Sequence, residues 1–167
     1  MKVVELDARG VEAHIDELAQ LLVDAHAAGM ALGLPTPLDA LGAYRAAAAA
    51  LEPGERLLLA ALEDGVVVGA VQLDRAGGNG RHRAEVRRLA VRADRRGAGV
   101  GRALMEAVVD RARGLGLRLL WLTTHEGTAA DEVYGRLGWT RAGVIPAWSE
   151  RPDGTLAANA FFFLALS

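Results

Sequence analysis

A chain of 167 residues fits one domain, and with 51% apolar and 24% charged residues it can bury a core and is not globally disordered. A net charge of -2 excludes a strong overall attraction to nucleic acid or to membranes. The absence of cysteine excludes disulfides, thiolate metal sites and a cysteine nucleophile.

The opening Met1-Lys2-Val3-Val4-Glu5-Leu6-Asp7 carries charge too early for a signal peptide, and the apolar run 57–62 is too short to cross a bilayer. A soluble cytoplasmic protein is therefore expected. Residues 3–6 read as a first strand. Ile15, Leu18, Ala19, Leu22 and Ala25 fall at helical spacing, which predicts an amphipathic helix ending near Gly29. Met30 to Pro35 reads as a loop, and Thr36-Pro37 as a helix start for a second helix running to about Leu51. Strands at 56–63 and 66–74 flank Asp64-Gly65, a two-residue hairpin turn. After the loop 76–80, a third strand spans 84–92.

The helix that follows is the clearest in the chain, with Val100, Ala103, Leu104, Ala107 and Val108 in one apolar stripe and Gly114 and Gly116 at its end. The apolar run 117–122 predicts a buried strand, 129–137 a short helix closed by Gly138, and 139–148 and 159–166 the last two strands, with Pro152-Asp153-Gly154 turning between them. The predicted order is β-α-α-β-β-β-α-β-α-β-β. Strands and helices alternate only in the second half, so a mixed α+β sheet is expected.

Between the third strand and the long helix lies Arg96-Gly97-Ala98-Gly99-Val100-Gly101-Arg102. An anion held at a helix N-terminus needs free backbone N–H groups and no side chains in the way. Gly97, Gly99 and Gly101 give that clearance, and Arg96 and Arg102 add positive charge. A plain glycine-rich connector would share this composition; the strand before and the helix after favour a pyrophosphate-gripping turn. A Walker loop does not fit, because no Gly-Lys-Ser/Thr closes the turn, and the glycine order is not that of a dinucleotide fingerprint.

The stretch from Glu85 to Met105 resembles the acetyl-CoA motif Gln/Arg-x-x-Gly-x-Gly/Ala of the GNAT N-acetyltransferases, with Arg96, Gly99 and Gly101 in its defining places. Ala130-x-x-x-Tyr134-x-x-x-Gly138-Trp139 is similar to the family's second signature, and the order of elements resembles the family from end to end. The resemblance implies a single domain over 1–167. Its fold would be an α/β/α arrangement, a mixed, mostly antiparallel twisted sheet of about seven strands flanked by four helices. It also implies acetyl-CoA as the acetyl donor and a small-molecule primary amine as acceptor. Within the family, His82-Arg83-Ala84-Glu85-Val86, Tyr134-Gly135-Arg136-Leu137-Gly138-Trp139-Thr140, Gly143-Val144-Ile145-Pro146, Pro152-Asp153-Gly154-Thr155 and the loop 29–38 resemble the tabtoxin-resistance-protein branch, which implies a toxin-like or antibiotic-like amine and a resistance role.

Carried onto this chain, the resemblance gives Leu89, Ala90 and Val91 backbone contacts to the pantetheine arm, while their side chains pack in the core. The N–H of Val91 is a candidate oxyanion donor. Arg96, Gly97, Ala98, Gly99, Val100, Gly101 and Arg102 hold the pyrophosphate. Tyr134 is the candidate general acid, since a phenol with a pKa of about 10 is protonated at neutral pH and can protonate a leaving thiolate. Glu85 is the candidate base or substrate-binding carboxylate, because an attacking ammonium of pKa about 10 must lose a proton; a solvated glutamate paired with Arg83 or Arg87 is the alternative. Alternation along the strand puts Glu85 with Arg87, Leu89 and Val91 unless a bulge intervenes.

The acceptor pocket is expected from Met30 and its loop, Glu85, Thr123, His125 and the last hairpin. Thr123 stands where the resembled branch carries an acidic residue, and a threonine is neither a base nor a counter-ion. His125 or Glu126 is a substitute, although a loop histidine is more often simply exposed. The four histidines, at 14, 26, 82 and 125, show no metal-ligand spacing, so no metal is expected. The arginines between 81 and 102 are few in interleaved aromatics, so no nucleic-acid partner is expected. Acyl transfer without cysteine implies direct attack in a ternary complex. A CoA sensor without transfer activity and an acetyltransferase of peptide amines are the alternatives; a homodimer is left open.

Overall fold

The computed structural model describes residues 1–30, 39–51, 55–151 and 153–167. Seven strands form one sheet in the order β1-β2-β3-β4-β5-β7-β6. They are β1 (Lys2–Leu6), β2 (Arg56–Glu63), β3 (Val66–Arg75), β4 (Arg83–Val91), β5 (Leu119–His125), β6 (Thr140–Glu150) and β7 (Leu156–Ala165). Every neighbouring pair is antiparallel except β4 with β5. The helices among the described residues are α1 (Ala8–Ala13), α2 (Ile15–Ala27), α3 (Ala40–Ala49), α4 (Val100–Gly114) and α5 (Ala129–Arg136).

The mixed, mostly antiparallel seven-stranded sheet matches the expectation, but the described residues hold five helices rather than four. The additional one, α1, has a single buried residue, Val11, so no apolar period announces it. It is set by its cap: the Asp7 carboxylate accepts from the Gly10 N–H at 2.7 Å. The helix start expected at Thr36-Pro37 lies outside the described residues, as does Pro152 of the last turn. The hairpin turn Asp64-Gly65 has φ of 50° and 83°, the left-handed pair that matches strand twist. Strand β5 runs on to His125, three residues past the expected end, because the apolar period gives way to Thr123, Thr124 and His125 while the ladder to β7 continues.

Two apolar layers flank the sheet. On one face α4 buries Val100, Leu104, Met105, Val108 and Ala112 against Val68, Val71, Val86, Leu120 and Phe162. Gly69 lets α4 approach: a Cβ there would lie 2.9 Å from Val100 Cγ1 and 3.0 Å from Leu104 Cδ1. On the other face α1, α2 and α3 bury Val11, Leu18, Leu22 and Tyr44 against Leu58, Ala70 and Ala90. The sheet thus separates two sides, and the functional question is what crosses it.

Candidate active site

Strands β4 and β5 pair over three residues only, Arg83 with Leu119, Ala84 with Leu120 and Glu85 with Trp121. Beyond Glu85 they part, although both continue, β4 to Val91 and β5 to His125. The parting leaves the facing edges without strand partners in the middle of a sheet, which is costly unless something else takes up their N–H and C=O groups. Its cause lies in β4. The register with β3 slips between Ala70 and Gln72, and Arg88 sits at a left-handed φ of 52°. This is a β-bulge, which bends the strand and re-aims its side chains.

The bulge is the exception under which strand alternation does not group Glu85 with Leu89 and Val91. Ala84 and Val86 pack on the α4 side before it, and Leu89 and Val91 after it. Glu85 and Arg87 lie on the opposite side with their cross-strand partners Asp74 and Gln72, and Arg88 follows them, its Nη1 donating to Gln72 Oε1 at 3.1 Å. Glu85 is therefore not aligned with Leu89 and Val91 but faces the α1–α3 side.

Past the bulge, the Arg92 N–H donates to Val68 O at 2.9 Å, so the ladder alternation turns the amide of Val91 away from β3, toward the gap. Ala90, paired with Ala70, turns the other way. The Val91 carbonyl accepts from Arg96 Nε at 3.2 Å, which ties the glycine turn to the end of β4.

In the turn itself, Gly97 and Gly99 have φ of 79° and 85°, values only glycine holds cheaply. The first intrahelical bond of α4 runs from the Ala103 N–H to Gly99 O at 3.0 Å. The amides of Val100, Gly101 and Arg102 therefore have no acceptor within the helix. Gly101 has no packing reason to be glycine, since a Cβ there would meet only Val91 Cγ2, at 3.7 Å. A bare backbone with open amides, where the protein itself does not require bareness, suits an anionic group held from outside. Arg102 lends charge beside it but is also paired with Glu106 at 2.8 Å. A groove of about 630 Å³ runs from Arg102 along α4 to Arg136, Gly138 and Trp139.

Tyr134 shares the α4-side layer with Leu89 and Val91 and packs against Trp139 and Phe162, with ring centroids 6.2 and 5.6 Å away. Burial pushes its phenol up to about 12, so it holds its proton throughout the neutral range. On the other side of the sheet, burial raises the Glu85 carboxyl above the usual range, Arg87 works against that, and Asp74 adds to it. Glu85 meets Arg87 Nε at 3.6 Å, the pairing named as the alternative to a catalytic role.

Of the expected acceptor residues, Met30 packs against the α1–α3 layer with Glu85 on that same side of the sheet; the rest of its loop lies outside the described residues. Thr123 and His125 belong to that face as well, because Leu120 and Leu122 point to the α4 side. His125 is not an exposed loop residue: it ends β5, is 6% exposed, and bonds through Nε2 to Ser149 Oγ at 3.0 Å. Ser149 also lies 2.8 Å from Asn159 Oδ1, and Asn159 donates to Thr123 Oγ1 at 3.3 Å. Burial lowers the His125 pKa, and a hydrogen bond to the Gly29 backbone works in the other direction. The imidazole thus enters a part-buried chain that joins β5, β6 and β7 to the end of α2.

Sequence reasoning missed Tyr44, Gln72, Asp74 and Arg88 as site neighbours. Asp74 carries three partners: Arg56 at 2.7 Å, Gln72 Nε2 at 2.8 Å and Arg87 at 3.4 Å. The available signal is two polar residues, Gln72 and Asp74, at alternate positions of a strand that is otherwise apolar up to its last residue, Arg75. Among the described residues no cluster of three or more acidic, histidine or cysteine side chains could hold a metal, and no helix is long and apolar enough to cross a membrane. Several arginines of the 81–102 cluster are engaged with carboxylates, Arg92 with Asp94 and Arg95 with Glu63.

The sequence pattern of the acetyltransferase (GNAT) family matches residues 15–139. Among solved structures, a ribosomal-protein-alanine N-acetyltransferase of Brucella melitensis superposes with a TM-score of 0.85 at 22% identity, over 99% of this chain and 100% of the other. A Salmonella typhimurium protein solved with its cofactor acetyl-CoA gives 0.78 at 21%, over 100% and 94%. An aminoglycoside 6'-N-acetyltransferase in complex with coenzyme A gives 0.76 at 18%, over 100% and 98%.

Proposed function

The chain belongs to the acetyltransferase (GNAT) family, and from that premise we propose that it moves the acetyl group of acetyl-CoA onto the primary amine of a small molecule, both substrates being held in one complex. The observation that carries this reading is the parting of β4 and β5 beside a helix start whose amides are open. A linear cofactor arm with a phosphate-rich end fits both features, taking up unpaired strand groups at one end and helix N–H groups at the other. The chain acts as one domain over 1–167.

Acetyl-CoA supplies an activated acetyl thioester. The amides of Val100, Gly101 and Arg102, with the bare backbone of Gly97, Ala98 and Gly99, hold its pyrophosphate, and Arg96 braces the turn on Val91. The free edge at Leu89 and Val91 holds the arm; Ala90, expected beside them, is turned to β3. The outward N–H of Val91 is the donor for oxyanion charge on the acetyl oxygen. As the amine nitrogen bonds to the acetyl carbon, the carbon–sulfur bond breaks. The amine proton passes to Glu85, directly or through water, and the proton of Tyr134 goes to the thiolate. The raised pKa of Glu85 makes it a better proton acceptor than an ordinary surface carboxylate. With no cysteine in the chain, a cysteinyl acyl-enzyme is not available.

The acceptor enters from the α1–α3 side, where Met30, Glu85, Thr123 and His125 gather. Thr123 and His125 shape this wall; their groups are spent on Asn159 and Ser149. The finer resemblance to the tabtoxin-resistance branch supports a small toxin-like or antibiotic-like amine. The test is calorimetric titration with acetyl-CoA followed by thiol release against a panel of amines. Binding and turnover are expected; no heat on titration, or binding without turnover of any amine, refutes the reading.

A further inference from the structure

Resting on that reading, we infer that the acceptor carries a carboxylate near its amine, and that Arg88 and Tyr44 hold it. The two fully buried side-chain polar atoms without a hydrogen-bond partner among the described residues are Arg88 Nε and Tyr44 Oη. An unmade hydrogen bond in a buried place is expensive, more so on a cation, so a pair of them points to a missing partner rather than to loose packing. They lie on the same side of the sheet, Arg88 on the bulge of β4 and Tyr44 on α3. They are close enough that the Arg88 charge opposes the burial that raises the Tyr44 phenol.

The rest of the cluster sets the orientation of Arg88. Asp74 accepts from Nε and Nη2 of Arg56, at 2.7 and 3.4 Å, and with both oxygens from the amide nitrogen of Gln72, at 2.8 and 2.9 Å. This turns Gln72 Oε1 toward Arg88, where it accepts from Nη1. The guanidinium is thereby clamped through one terminal nitrogen. The remaining edge, Nε with Nη2, is the side-on fork that matches the two oxygens of a carboxylate. Tyr44 adds a neutral hydroxyl donor to the same oxygens.

The internal carboxylates do not fill this fork. Asp74 is already held from three directions, and Glu85 leans on Arg87 at 3.6 Å. Glu85 stands three residues before Arg88, on the order of 10 Å of extended chain, a distance that two long side chains close around a small zwitterion. An amine facing Glu85 and a carboxylate facing Arg88 describe an amino acid or a close relative. The bulge then has a second consequence: the left-handed φ that splays β4 from β5 also keeps Arg88 on the acceptor side.

The experiment uses the full chain and matched acceptors: α-, β- and γ-amino acids, each beside its carboxamide and the amine lacking the carboxyl group. The carboxylate member is expected to have a kcat/KM about 10–100-fold above its neutral counterparts, the range of a charge-assisted hydrogen bond. Arg88→Gln should collapse that preference, and Arg88→Lys should restore part of it, since charge remains but the fork is gone. Tyr44→Phe should reduce the preference without lowering Tm, because it deletes an unpartnered oxygen; this variant keeps the test alive if Arg88→Gln fails to fold. Equal kcat/KM for carboxylate and neutral members overturns the inference, as does a preference unchanged in Tyr44→Phe and Arg88→Gln. So does acetyl-CoA binding with no turnover of any carboxylate acceptor. If the wild-type protein shows no heat with acetyl-CoA, the acetyltransferase reading fails first, so the two failures are distinguishable.

Discussion

Replacing Gly101 by alanine separates what the glycine turn does for the fold from what it does for a ligand. Gly101 lies in the first turn of α4 and is not among the glycines with positive φ, so an alanine is not strained there. Its Cβ would meet only Val91 Cγ2 at 3.7 Å, an ordinary contact. Alanine is the better helix former, by up to about 1 kcal/mol in a helix interior and less in a first turn. Tm should therefore hold or rise by up to about 2–4 °C for a chain of this size. The added methyl nevertheless takes up space in the first turn, which the phosphate of the proposed cofactor has to approach closely. Losing one charge-assisted hydrogen bond, worth about 1.5–3 kcal/mol, weakens acetyl-CoA roughly 10–100-fold. Gly99→Ala is the contrast: at φ of 85° it should cost about 1–2 kcal/mol of stability in addition to affinity. Calorimetry with acetyl-CoA and thermal unfolding on the same preparations read both quantities. An unchanged acetyl-CoA affinity in a stable Gly101→Ala protein refutes the role given to the turn.

Tyr134→Phe keeps the ring contacts to Trp139 and Phe162 and should fold normally, while kcat drops by about 10²-fold or more in steady-state thiol release; an unchanged kcat removes Tyr134 from the acid role. For Glu85 the raised pKa has two signed consequences. As a base it works when ionised, so kcat/KM should fall as pH drops through its folded pKa, and Glu85→Gln should flatten that acid limb. For stability, the folded state prefers the protonated form, so stability is lost as pH rises through the raised folded pKa. Glu85→Gln should then be more stable than wild type at neutral pH, with the gain vanishing in acid. His125 has the opposite slope: its lowered pKa means folding favours the neutral ring, so acidification below about 6.5 costs stability. Thermal unfolding against pH should show that loss in wild type and a weaker one in His125→Asn. Asp74→Asn removes the carboxylate shared by Arg56, Gln72 and Arg87, and denaturant unfolding should show a loss of about 1.5–3 kcal/mol.

Those same residues mark how far the sequence could be read. The helix α4, the hairpin at Asp64-Gly65 and the glycine turn were legible because each is a local rule: a 3.6-residue apolar period, a pair of left-handed turn residues, a bare backbone before a helix. The stretch proposed to hold the donor is legible for the same reason, since it runs without a break from Leu89 to Arg102. The proposed acceptor side is only partly so. The sequence offers Glu85, Met30, Thr123 and His125, but alternation groups Glu85 with Leu89 and Val91 unless a bulge intervenes, and a histidine read as a loop residue is more often exposed than buried.

What the sequence determined by itself is therefore the sheet-and-helix framework and the glycine turn, because backbone conformation there depends on neighbours within about one helical turn. What the tertiary structure alone decided is the face each side chain occupies. A single left-handed residue, Arg88, reverses the alternation of β4; nothing in the local pattern marks it, since an arginine is not a residue that seeks positive φ. The bulge depends on the register with β3, and the chain of Thr123, Asn159, Ser149 and His125 joins residues from three strands. Register and burial are set by packing between distant segments, which is why the side of the sheet that Glu85 and His125 face becomes readable only once the strands are side by side.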